Sequence, residues 1–126
     1  MDIPGDLRYS DDHEWLRTDG AEAVVGISRY AADELGDVVF VELPVVGRRL
    51  AGHEAFGVIE SVKTASDLYC PAAGEVVAVN AALGAAPELI NTDPYGEGWI
   101  VRLRLDDPDA GASLKDADAY RIHIGG

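Results

Sequence analysis

A single cysteine, Cys70, among 126 residues leaves no partner for an intrachain disulfide, so the disulfide-dense strategy of small secreted domains is excluded and the fold rests on its core. Basic residues are scarce as well: 10 Lys plus Arg stand against 23 Asp plus Glu, a formal net charge of -13. Phosphate backbones and anionic membrane surfaces repel such a chain, which predicts neither nucleic acid nor membrane as partner. Basic docking surfaces on other proteins attract it, although solubility alone explains the charge equally well. No apolar run approaches the length of a membrane span. The segment Met1-Asp2-Ile3-Pro4-Gly5-Asp6 has neither a signal-peptide nor a transit-peptide pattern, so a cytoplasmic location is the expectation. Catalytic signatures are also missing: there is no nucleophile and base pair, no glycine-rich phosphate loop, and no metal-like spacing among His13, His53 and His123.

What is present is an ordinary globular composition, 48% hydrophobic and 26% charged, of a length that fits one domain over residues 1–126. Short apolar runs between Gly, Pro, Asn and Asp clusters predict a mainly β fold. Strands are expected at residues 13–17, 21–27, 37–43, 54–62, 75–80 and 99–105, which are rich in Val, Ile, Phe and Trp. Thr18-Asp19-Gly20 suits a hairpin turn between the first two. A short helix is expected at residues 28–35, with Ser28 capping its start and Gly36 its end. A second is expected around residues 115–120 and a single turn at 87–90, while Gly111 and the ending Ile122-His123-Ile124-Gly125-Gly126 interrupt a charged helical C-terminus. Cys70, before Pro71, reads as a small apolar filler.

The segment Gly36-Asp37-Val38-Val39-Phe40-Val41 is echoed by Gly74-Glu75-Val76-Val77-Ala78-Val79. With the strand count, the echo favours a flattened barrel of two related halves. The halves differ in one connection. In the first it is the helix after Ile27; in the second it is Glu60-Ser61-Val62-Lys63-Thr64-Ala65-Ser66-Asp67, a hairpin whose small polar Ala65-Ser66-Asp67 suits the turn. Lys63 therefore sits near an exposed tip, where a group carrier needs a primary amine on a rigid support. The other lysine, Lys115, lies in an Asp-rich stretch and reads as part of a solvated helix face, and the remaining cations are Arg, which offers no nucleophilic amine. Turn chemistry alone equally accommodates Lys63 as a solubilising charge.

The segment from Glu60 to Asp67 closely resembles the lipoyl-lysine segment of the glycine cleavage H proteins. Further landmarks follow in family order: Tyr9-Ser10, His13-Glu14-Trp15-Leu16, Val25-Gly26-Ile27, Leu35-Gly36-Asp37-Val38-Val39-Phe40-Val41, Pro71, Gly74-Glu75-Val76, Val79-Asn80, Pro87-Glu88-Leu89-Ile90-Asn91, Pro94-Tyr95-Gly96 and Gly98-Trp99. The resemblance covers about residues 7–120, and several motifs in order are far more specific than one.

The resemblance implies a barrel-sandwich hybrid fold and a carrier that is not itself an enzyme. It implies lipoic acid bound covalently as N6-lipoyllysine at Lys63, attached by a lipoylating enzyme that reads Glu60 and the hairpin shape. The dithiolane would take an aminomethyl group from glycine at the pyridoxal-phosphate-dependent glycine decarboxylase (P protein) and deliver it to the folate-dependent aminomethyltransferase (T protein). Dihydrolipoyl dehydrogenase (L protein) would then reoxidise it. The resemblance also places the loaded arm in a groove, with Glu14 and Asp67 as the acidic groups that pair with the amine. The residues alone leave Glu14 as an edge-strand charge, Asp67 as a turn former, His13 as a half-exposed strand histidine and residues 91–96 as a structural loop. A biotinyl carrier fits less well, since Val62 and Thr64 flank the lysine where methionines usually do. A relay carrier for lipoyl or octanoyl groups, and an unmodified acidic β-sandwich interaction module, remain as alternatives.

Overall fold

The computed structural model describes residues 2–125. In chain order the elements are β1 (Arg8–Tyr9), β2 (Glu14–Asp19), β3 (Glu22–Ile27), α1 (Arg29–Leu35), β4 (Val38–Glu42), β5 (Arg49–Leu50), β6 (Ala55–Ser61), β7 (Ala65–Tyr69), β8 (Gly74–Val79), α2 (Ala82–Ala85), α3 (Leu89–Thr92), β9 (Val101–Leu105), a 3-10 turn (Ala110–Ser113) and α4 (Ala117–His123). All strand pairs are antiparallel. They form a six-stranded sheet in the order β1-β2-β3-β9-β8-β5 and a three-stranded sheet in the order β4-β6-β7. The two sheets close on each other as the flattened barrel that the strand pattern predicts.

Alternation decides what faces inward. Ala23, Val25 and Ile27 of β3 point to the main core, where they meet Leu16, Val41, Ile59, Leu68, Val76 and Leu103. A second cluster of Leu7, Tyr9, Trp15 and Tyr120 fills the opposite face of β2 beneath α4. Trp15 lies across its cross-strand partner Gly26, where a Cβ would come within 2.6 Å of the indole, so only glycine fits there. The repeat seen in the sequence has a structural counterpart: β4 breaks register between Val38 and Phe40, β8 between Val76 and Ala78, the same place in each copy.

Both caps of α1 are as expected. Ser28 Oγ accepts from the Ala31 amide, and Gly36 closes the helix with its N–H on the Ala32 carbonyl, at a φ of 76° that favours glycine. The first hairpin turn is Gly20-Ala21, since Asp19 pairs with Glu22 and Gly20 takes a φ of 63°. Other expectations shift. The C-terminal helix begins after Asp116, whose carboxylate caps Ala119, and runs to His123. Gly111 sits in the separate 3-10 turn, and one-turn helices occupy Ala82–Ala85 and Leu89–Thr92. His13 is not in a strand: it precedes β2 with a left-handed φ of 72°. Lys115 lies just before α4 rather than on a helix face, bridges to Tyr9 and forms an ion pair with Asp11. Gly126, the last residue of the Gly-Gly ending, lies outside the described residues. Among the described residues no helix is long and apolar enough to cross a membrane.

Candidate functional site

The β6–β7 hairpin projects Lys63 at its tip, but the turn lies earlier than the small residues suggest. Ser61 and Thr64 close it, the Ser61 amide donating to the Thr64 carbonyl at 2.8 Å, so the loop is Val62-Lys63. Ser61 Oγ accepts from the amides of Thr64 at 3.1 Å and Lys63 at 3.3 Å. This side chain supplies the acceptors that an alternating ladder lacks at its end, and neither loop residue needs a left-handed backbone. Ala65, Ser66 and Asp67 belong to β7, with Asp67 paired to Val58, so Asp67 is a strand residue and not a turn former.

The tip is anchored on the body. The Val62 amide donates to the Asp37 carbonyl at 3.0 Å. The Lys63 stem runs past Gly36, whose hypothetical Cβ would lie 3.5 Å from Lys63 Cε. The Gly36 loop is itself fixed by Asn91, which donates to the Gly36 carbonyl at 2.8 Å and accepts from the Val38 amide at 2.9 Å. The neighbouring loop also braces the fold: the Trp15 indole donates to the Pro94 carbonyl, Arg17 to the Tyr95 carbonyl, and the Arg29 amide to the Tyr95 hydroxyl. Asn91 and Thr92 close α3, and residues 93–96 act as the structural loop that the turn formers suggest.

Beside the lysine lies a cleft of about 380 Å³. One wall is α1, through Tyr30, Ala31, Glu34 and Leu35; the other is the hairpin from Thr64 to Leu68, and Asp12, His13 and Glu14 close the end. Ile27 and Ile59 contribute apolar surface. Four carboxyl groups, Asp12, Glu14, Glu34 and Asp67, border it. A cavity with aliphatic walls and acidic groups suits a short apolar chain that ends in a cation.

Glu14 is the unusual member of that set. It is only 2% exposed, so it is no edge-strand charge. Ser10 Oγ donates to Oε1 at 2.6 Å and the Tyr69 amide reaches Oε2 at 3.3 Å. None of the ion pairs among the described residues involves it. Burial raises its pKa to about 8, against the lowering effect of the Ser10 and Tyr69 hydrogen bonds. Asp67, by contrast, is exposed and sits on an edge strand shared with a second depression of about 240 Å³ bordered by Glu42, Arg48 and Val58.

Glu60 lies outside the cleft, exposed on β6 between Phe40 and Ala65. Around it and the lysine, Phe40 is 52% exposed and Val62 is 70% exposed, an apolar surface beside an acidic residue at the tip. The motif comparison thus identifies Lys63, Glu14 and Asp67, which the fold gathers around one cleft, and Glu60, which the fold leaves on the outer hairpin surface. It misses Asp12, Tyr30, Glu34 and Ser66. Helical spacing carries a signal for two of these, since Tyr30 and Glu34 stand four apart on one face of α1.

Cys70 is buried, its Sγ donates to the Ala72 carbonyl at 2.9 Å, and burial pushes the thiol up to about 11. The packing matches the apolar filler that its position suggests.

The family model described as glycine cleavage H-protein matches residues 7–124. A glycine cleavage system H protein of Symbiobacterium thermophilum is 61% identical over 118 residues, covering 94% of this chain and 92% of its own. That of Chlorobium limicola is 56% identical over 127 residues, covering 99% of each. The crystal structure of a glycine cleavage system H protein from Mycobacterium marinum superposes with a TM-score of 0.90 at 42% identity, covering 98% of this chain and 100% of that one.

Proposed function

The chain belongs to the glycine cleavage H-protein family, and from that premise we propose that it carries lipoic acid as N6-lipoyllysine on Lys63 and shuttles the aminomethyl group of glycine. Its partners in this reading are the P, T and L proteins and a lipoylating enzyme, and its own part is that of a carrier without catalysis. One observation carries the reading: an exposed lysine at a braced hairpin tip stands beside a cleft that holds a buried carboxyl without a cation.

The residues fit the group. Lys63 offers the amine at a place where an attaching enzyme has room, with Glu60 and the exposed Phe40 and Val62 as the surface it would meet. The cleft beside Gly36 offers Ile27, Leu35 and Ile59 to an aliphatic arm. When bound, the lipoyl group supplies the sulfur that takes up and gives back the one-carbon unit. The chain's own residues do the rest. The cleft walls keep water from the reactive end, Glu14 offers a carboxyl oxygen from a buried position, and Asp67 adds negative charge at the rim. A primary ammonium next to Glu14 favours its ionised form, so the pair would stabilise each other there.

The test is the intact mass of the protein from a lipoylating host, with peptide mapping across Lys63 and a Lys63→Arg control. A lipoyl increment confined to Lys63, absent from the control, is the expected result. A chain that stays unmodified while other lipoyl proteins of the host are modified overturns the reading and leaves an acidic interaction module.

A further inference from the structure

Tyr120 is fully buried, far along the chain from the hairpin, and has no part in the family motifs around the lysine. Its ring stacks on Tyr9 with centroids 4.5 Å apart and planes 9° from parallel. Its hydroxyl lies 2.8 Å from His13 Nδ1 and 2.7 Å from Ser28 Oγ. One partner lines the end of the cleft, and the other caps the helix that forms one of its walls. His13 leads directly into Glu14, and Ser28 is the cap from which α1 starts.

The hydrogen bonds can be assigned as a chain. The Ala31 amide donates to Ser28 Oγ at 3.1 Å, which leaves the serine proton free to run to the Tyr120 oxygen and the tyrosine proton to an accepting His13 Nδ1. Backbone bonding closes the same loop, since the Ser28 amide donates to the His13 carbonyl at 2.9 Å.

His13 has reason to need holding. Its φ of 72° is a left-handed conformation uncommon for any residue but glycine, which histidine enters more readily than most and which its surroundings must still hold. The turn before it is tied to the same C-terminal segment twice more, by the Lys115 and Asp11 ion pair and by His123 Nε2 at 3.1 Å from the Asp11 carbonyl.

Resting on the carrier reading above, we propose that Tyr120 is a positioning residue for the arm cleft: its hydroxyl bridges His13 and Ser28, and so fixes the Glu14 end against the start of α1. The C-terminal helix thereby holds one corner, where the closed end meets α1, of a site that it does not line.

The test compares wild type, Tyr120→Phe and Tyr9→Phe. Each variant keeps the stacked rings and loses one hydroxyl, but the Tyr9 hydroxyl bonds the Pro4 carbonyl, away from the cleft. In the unlipoylated proteins, amide hydrogen exchange at Ala31 and Glu14 and the imidazole nitrogen signals of His13 are recorded by NMR. In the lipoylated proteins, loaded by the P protein with glycine, spontaneous release of the one-carbon unit as formaldehyde is timed. Tyr120→Phe, which loses both hydrogen bonds of the bridge, is expected to raise exchange at Ala31 and Glu14, to move the His13 Nδ1 signal and to speed release roughly three- to tenfold, the range that hydrogen bonds of ordinary net strength account for. Tyr9→Phe leaves all three near wild type. A Tyr120→Phe protein with unchanged His13 signals and unchanged exchange at Ala31 and Glu14 overturns the proposal, as does release at the wild-type rate. Wild-type protein that takes no lipoyl group overturns the carrier reading itself, and the proposal with it.

Discussion

Glu14 joins two demands in one side chain. A carboxyl whose proton is held to about pH 8 in the folded protein, against an ordinary value of 4.5, binds that proton more tightly folded than unfolded. Between those values the unfolded chain holds fewer protons, so stability falls as pH rises through this window and levels off above it. Glu14→Gln removes the titration. Thermal unfolding followed across the window should show a downward slope for wild type and a flatter line for the variant. In the carrier reading the same substitution also shortens the lifetime of the loaded protein, because the amine loses its anionic partner. The sequence contains part of this. Strand alternation puts Glu14 on the face of Leu16, which is inward. What it lacks is the depth, because the Tyr69 amide comes from 55 positions along the chain to join the nearby Ser10 in satisfying the carboxyl.

At the scale of elements, the hairpin depends on a side chain where a glycine would be the usual solution. Ser61→Ala strips the acceptor from two loop amides, and is expected to cost about 1 kcal/mol of stability. Denaturant unfolding measures the loss, and the rate at which mass is gained at Lys63 during lipoylation should fall with it. The position of that turn was hard to read for a physical reason. Ala65-Ser66-Asp67 has the composition of a turn, yet its small side chains serve an edge strand whose side must leave a cleft open. Helix α1 was legible to the residue because its caps are local chemistry. Strands β1 and β5, two residues each, carry no pattern of their own and exist only through their partners β2 and β8. The link from Tyr120 to Ser28 spans 92 positions and leaves no periodic trace.

For the whole molecule, the formal charge of -13 bears on how it meets other proteins. Rates of association with the other glycine cleavage components should drop steeply as salt is added, while dissociation changes little, since steering acts over distances that ions screen. Stopped-flow association at several ionic strengths distinguishes this from an effect on the bound complex. The barrel itself was the most legible feature, because short alternating runs and a repeated six-residue segment both survive into its architecture, down to a bulge at the same place in each copy.

The buried Cys70 has a consequence for anyone handling such a carrier. With its side chain buried and its thiol pushed up to about 11, Cys70 should react far more slowly than an exposed thiol with alkylating and disulfide reagents at neutral pH. If the arm is a dithiol, the maleimide or chromogenic disulfide that folded protein consumes rapidly reports on cargo rather than on chain. Redox occupancy is then counted by simple stoichiometry, with no need to engineer a cysteine away.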